Sequence, residues 1–110
     1  KMANDFKMVT YENVGTSAVT LYTAPASKTT IVLGCDIANI TAAVVEVDVE
    51  VTDNSASRTV MLVKAAPIPT GSSLKVIEGQ KLILETSDAL KVTSDTSTSL
   101  DVVVSILEDV

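Results

Sequence analysis

The chain has no histidine, no tryptophan and one cysteine, and its only aromatic residues are Phe6, Tyr11 and Tyr22. Each shortage excludes something. Without His there is no ordinary general base, no Ser-His-Asp or Cys-His arrangement, and little with which to build a zinc site. A Ser-Lys pair stays formally open, but no motif supports one. Cys35, alone, cannot form an internal disulfide. It lies in the apolar run TTIVLGCDIANI, where a free thiol reads as a small core hydrophobe with no base beside it. The four glycines (Gly15, Gly34, Gly71 and Gly79) are isolated, so there is no Gly-rich phosphate loop. These gaps read as a protein that is not an enzyme and carries no cofactor or metal.

Charge removes further classes. The formal net charge is −6, whereas binding a phosphate backbone needs a basic surface that displaces counterions. The same sign disfavours an anionic membrane face. Few aromatics also means no stacking platform for single-stranded nucleic acid. No nucleic-acid partner and no membrane are therefore expected. No apolar run approaches the ~20 residues that span a bilayer, and KMANDFKMVTYENV shows no apolar signal core. Met2-Ala3-Asn4-Asp5 reads like a translation start, with 1–4 as a flexible N-terminus. The expectation is a chain made in a cytoplasm.

What the chain does have is aliphatic and β-branched. Apolar residues make up 46% of its 110 residues and charged residues 20%, enough for one domain with its own core. Abundant Val and Thr favour strands. AVVEVDVEVTD is the clearest: Val45, Val47, Val49 and Val51 alternate with Glu46, Asp48, Glu50 and Thr52, one face buried and one solvated. DNSAS then turns the chain and RTVMLVK returns as an antiparallel partner, with Arg58 near the C-terminal end of the acidic strand. In the strand before it, Ile31, Leu33, Cys35 and Ile37 are expected on one face, with Gly34 a bulge or a close approach. Pro67, Pro69 and Gly71 form an extended crossing suited to moving between two sheets. Leu100, Val102, Val104 and Ile106 line one face of the last strand. Val103 and Leu107 on its other face suggest a central position.

No segment carries apolar residues at helical spacing with caps. Eight or nine short strands separated by turn signals predict an all-β fold, a single antiparallel two-sheet β-sandwich over 1–110, of which the jelly roll is one form.

Two groups of residues are candidates for contacting a partner. Glu46, Asp48 and Glu50 share one strand face at about 7 Å intervals. That is too wide for one Ca²⁺, which takes six to eight oxygens at about 2.4 Å. It would suit a glycosidase pair, but no aromatic sugar platform accompanies it. The plain reading is a solvated outer face; the functional one is an electrostatic contact. The polar loop SDTSTS contributes Asp95, Thr96 and Ser97 as candidate contacts, because loops on a rigid sandwich carry recognition. Strand edges are a third feature. Lys7, Lys64, Lys75, Lys81 and Lys91 lie where edge protection would put them, yet edge pairing with another chain is the alternative use.

Two runs, LYTAPASKTTIVLGCDIANIT and PIPTGSSLKVIEGQKLILETSDALKVTSDTSTSLDVVVSILE, resemble segments of small β-sandwich virion structural proteins of tailed bacteriophages, including cyanophages. There a vYTvPagkTaiVl…iaN segment opens the sandwich, and a P-x-G-S-x-L-x-V-x-x-G-x-K run follows. The matching positions are Tyr22, Thr23, Pro25, Asn39, Pro69, Gly71, Leu74, Gly79, Lys81, Leu84, Asp88, Leu90 and Val92. Ala24 before the proline and Ser27 in place of a glycine depart from the pattern. The resemblance implies a non-enzymatic virion component, a capsid decoration or cement protein first, with tail, neck, baseplate or fibre next. It would bind other virion proteins and form a homo-oligomer such as a trimer. A carbohydrate-binding or adhesion module is the competing class, with Tyr11 and Tyr22 as its only available rings.

Overall fold

The computed structural model describes residues 5–108; the expectation of a flexible stretch at 1–4 lies outside them. Nine strands form two antiparallel sheets, the fold class read from the sequence. They are β1 (Asp5–Val14), β2 (Val19–Thr23), β3 (Thr30–Asn39), β4 (Val45–Asp53), β5 (Arg58–Ile68), β6 (Ser73–Ile77), β7 (Leu82–Leu84), β8 (Ala89–Ser94) and β9 (Leu100–Glu108). One sheet runs β1-β9-β3-β6, with β7 also on β3. The other runs β2-β8-β4-β5. Sequence neighbours β1, β2, β3 and β4 alternate between sheets, so most pairings are long-range. The core therefore forms between the sheets rather than within hairpins.

The core is aliphatic, as the shortage of rings requires. Val45, Val47 and Val49 of β4 meet Val102, Val104 and Ile106 of β9 in one buried cluster with Ile37, Leu90 and Leu100. The period-two pattern of β4 sends its valines inward and its carboxylates outward, because successive residues of a strand face opposite sides. β4 lies between β8 and β5, and β9 between β1 and β3, so both are central. The β4–β5 hairpin sets Asp53 opposite Arg58, as its turn predicts.

β3 departs from the expected facing. Thr30 and Val32 point into the core, then Cys35, Ile37 and Asn39, while Ile31 and Leu33 are only half-buried. The register against β9 shifts between Val32 and Gly34. This bulge adds one residue and reverses the alternation. Gly34 sits where a Cβ would come within 3.4 Å of the Ile77 carbonyl oxygen. The bulge signal was correct, but its effect on the residues before it was not foreseen. Cys35 is 1% exposed, and burial pushes its thiol pKa up to about 12.

The crossing between sheets is shorter than expected. Pro67 belongs to β5, opposite Glu46, on a sheet edge where a missing donor costs no ladder bond. Only Pro69 to Ser72 cross, with Gly71 at a φ of 73°. Polar pins close other turns. Asn39 donates to the Ala43 and Ile68 carbonyls and accepts from Thr41, while Asp88 accepts from the Asn54 and Glu85 amides. Asn39, Gly71 and Asp88 are among the motif positions noted in the sequence, and each holds a turn.

Candidate functional site

The two candidate groups converge. Val47 pairs with Ser94 and Asp48 with Thr93, which brings the base of the SDTSTS loop beside the outer face of β4. The Asp95 amide donates to the Glu46 carbonyl at 3.0 Å, and the Glu46 amide donates to Asp95 Oδ1 at 3.1 Å. Glu46, Asp48 and Asp95, with Lys64, Ala65 and Thr93, line a shallow cleft of about 280 Å³. Glu50 stays outside it, in register with Lys91 on β8 and Met61 on β5. Thr96 and Ser97 do not line it either.

Asp48 has a structural task. Its Oδ1 accepts the Ala65 amide at 2.7 Å and its Oδ2 accepts Lys64 Nζ at 3.1 Å. Ala65 adopts a φ of 51° in a bulge of β5, a conformation that costs a residue with a Cβ unless its neighbours hold it. The Ala65 amide, with help from Lys64, keeps the Asp48 carboxyl below the usual carboxylate range. Glu46 is exposed on the same face.

The SDTSTS loop is less solvated than its composition suggests. Ser94 and Ser99 are buried and hydrogen-bonded to each other, and the Ser99 amide donates to the Val14 carbonyl at 2.9 Å. Thr96 Oγ1 donates to Asp95 Oδ1 at 2.8 Å. Asp95 and Ser97 are exposed on a rigidly wired loop, while Thr96 is half-buried. A polar composition does not distinguish a solvated loop from one satisfied internally.

Two features escaped the sequence reading. The first is a clasp at one end of the sandwich. Glu108 continues the core-facing parity of β9, and its Oε1 accepts Lys7 Nζ of β1 at 2.8 Å. Its Oε2 accepts the Tyr22 hydroxyl of β2, which also bonds Thr30 of β3 at 2.9 Å. Bonds from Lys7 and then Tyr22 hold the Glu108 carboxyl low, and the Lys7 ammonium is correspondingly raised. Burial, then the bond to Glu108, pushes the Tyr22 phenol up. With its hydroxyl engaged and its ring half-buried, Tyr22 is not available as a sugar platform. The second feature is an open groove of about 780 Å³ where β1 bulges from β9, lined by Tyr11, Glu12, Asn13, Asp101 and Val103. Asn13 has a φ of 59°, and its amide donates to Asp101 Oδ1 at 3.0 Å.

Among the described residues, no three or more His, Cys, Asp or Glu side chains are grouped where they would hold a metal ion. The described residues include no helix long and apolar enough to cross a membrane.

No protein-family model matches the sequence, and no curated protein matches it. Solved structures do. A subunit of Bacillus endospore appendages, a family of disulfide-linked pili, superimposes with a TM-score of 0.59 at 12% identity, over 98% of this chain and 87% of that one. The likeness shows a shared fold. The VP2 subviral particle of infectious bursal disease virus gives 0.49 at 11% identity, over 99% of this chain but 37% of VP2.

Proposed function

We propose that this chain is a non-enzymatic structural subunit of an assembled particle, a phage virion protein whose first candidate role is capsid decoration or cement. The observation that carries the proposal is the strand order. Two four-strand paths, β1-β9-β3-β6 and β2-β8-β4-β5, have the order of a jelly roll, an architecture used repeatedly in capsid proteins and lectins. Fold alone leaves function open, and three further features favour assembly. The sequence resembles small virion proteins. The pilus subunit of the same fold belongs to a polymer. Two of the acidic side chains on this face have structural tasks, Asp48 at the β5 bulge and Asp95 within its own loop.

The contact surface proposed for other virion proteins is the exposed end formed by Glu46, Asp95 and Ser97, with Glu50 and Thr96 beside it and Asp48 holding its base. Many copies each contributing a modest contact would bind by avidity. Covalent linkage of the kind named for the pili is not proposed, because Cys35 is the only cysteine in residues 1–110 and it is buried. Tail, neck, baseplate or fibre are alternative positions in the particle.

The test is immunogold labelling, with antibody raised against the purified chain, of particles banded from lysates of the source. Label on heads is the expected outcome. Label on tails moves the subunit within the particle. Label on cell-surface filaments, or on no particle, overturns the virion reading. A carbohydrate-binding reading has one observation in its favour, the exposed Tyr11 ring in the groove beside Glu12, Asn13 and Asp101. Specific glycan-array binding that disappears in Tyr11→Ala would establish it.

A further inference from the structure

The four edges of the two sheets are not alike. β5 is guarded by two bulges against β4, by Ala65 at positive φ and by Pro67. β2 has five residues and a register shift between Thr20 and Tyr22. The opposite edge of the larger sheet is split into β6 and β7, of five and three residues, separated by the Gly79 turn. Short, bulged or proline-bearing edges resist pairing with another chain. β1 has none of these guards over most of its length, and its Lys7 is drawn onto Glu108 of β9. Asp5 to Tyr11 form seven consecutive pairs with β9 without a shift, and the bulge comes only after Tyr11. Among the described residues, the backbone of Asp5–Glu12 has no partner other than β9.

The side chains on this strand match its free edge. Phe6 and Met8 are 71% and 69% exposed on the outer face. Phe6 begins a row that crosses four strands in register, Phe6–Leu107–Ile31–Ile83. The row stops at the β1 edge.

We propose that the free edge of β1 is a strand-addition site and that its occupant is β1 of a second copy, antiparallel, with the twofold axis at Met8. Straightness and charge select this register. An axis at Met8 uses all seven unshifted residues, setting Asp5 opposite the second copy's Tyr11, Phe6 opposite Thr10, Lys7 opposite Val9 and Met8 opposite itself. No like charges face one another. An axis at Lys7 would oppose two ammonium groups, and one at Val9 would run into the Glu12–Asn13 bulge. With the axis at Met8, two larger sheets become one continuous sheet. The row starting at Phe6 continues across the axis through both Met8 side chains, where thioether and ring meet diagonally. The contact is isologous and closes on itself as a dimer. This inference deepens the assembly reading and rests on it for choosing a second copy over an unrelated strand.

The test is cysteine cross-linking of the full chain, with Cys35 kept because it is buried. Across an antiparallel pair Cα atoms lie about 4.5–5.5 Å apart, within disulfide reach. Met8→Cys should form a covalent dimer under mild oxidation, while Met61→Cys, exposed on the guarded edge strand β5, should stay monomeric. Equal cross-linking of both variants, or of neither, overturns the proposal. Independently, sedimentation should show a concentration-dependent dimer of the unmodified chain. Met8→Lys sets like charges face to face and should weaken that dimer about fivefold with an unchanged circular dichroism spectrum. A dimer indifferent to Met8→Lys also overturns it. If Met8→Cys links but no particle is labelled, strand addition survives and the virion reading fails. Labelled particles without this cross-link have the opposite meaning.

Discussion

Asp48 and Glu108 are both strand carboxylates, both accept two hydrogen bonds, and both are held below the usual carboxylate range. Their surroundings differ. The Asp48 side chain is 29% exposed on the outer face and steadies a bulge within one sheet. The Glu108 side chain is 9% exposed on the core face and ties β9 to β1 and to β2 of the other sheet. The first carboxylate secures a local turn of the backbone; the second joins layers. A buried carboxylate is tolerated where each oxygen has a donor, and a partly exposed one depends less on its partners because water can replace them.

The comparison breaks most severely where a carboxylate is buried and has no donor. Val47→Asp puts one in the middle of the core, where Val47 is fully buried. The expected cost is about 4 kcal/mol or more, comparable with the whole stability of a small domain. Circular dichroism should show an unfolded chain or none recovered. A normal melt would mean the inward facing of β4 is wrong.

Glu108→Ala comes next. It strips Lys7 and Tyr22 of their shared acceptor while Thr30 still satisfies the phenol, so about 1–3 kcal/mol should be lost. The melting temperature should fall by roughly 4–8 °C for each kcal/mol. Exchange protection should drop first at the start of β1 and the end of β9. A uniform loss of protection would mean the clasp does not act locally.

Acid separates the same sites by titration. Both carboxyls have folded values below their unfolded ones. Their contribution is therefore complete above the unfolded pKa near ~4 and is lost as pH falls through the folded values. Lys7 and Tyr22 are raised, so their share is complete below about pH 10 and lost as pH rises through the folded values. Urea melts from pH 7 to pH 2 should show a flatter acid limb for Glu108→Gln than for the unmodified chain. An identical limb would remove Glu108 from the balance.

Smaller still, Asp48→Ala should cost at most about 1 kcal/mol, because its site is partly wet. Its signature is faster exchange of the Ala65 amide. Smallest is the pair Glu46→Lys with Glu50→Lys, expected to change stability by less than about 0.5 kcal/mol while weakening incorporation into particles. Unchanged incorporation would return both side chains to simple solvation.

The contrast between the two carboxylates also marks what was legible in the sequence. Asp48 stood out because β4 alternates without interruption, and the alternation fixed the facing of Val45 to Thr52. Glu108 was readable in principle, since the parity of Leu100, Val102, Val104 and Ile106 continues to it. A charged residue at the end of a strand is nevertheless taken for the start of solvent. Its donors, Lys7 and Tyr22, lie on β1 and β2, contacts that no local pattern announces. β3 illustrates the other limit: Gly34 signalled a bulge, but the side that keeps the original phase depends on the register with β9. The candidate surface was half legible for the same reason. Glu46, Asp48 and Asp95 meet only because β8 pairs with β4 across more than forty residues of sequence.

The burial of Cys35 gives this chain a built-in chronometer. Surface-thiol reagents meet nothing reactive while the sandwich is closed, because the sulfur is covered and stays protonated. Any labelling must wait for the core around β3 to open. The rate at which the thiol is consumed therefore counts openings of the sandwich under native conditions, with no substitution in the chain.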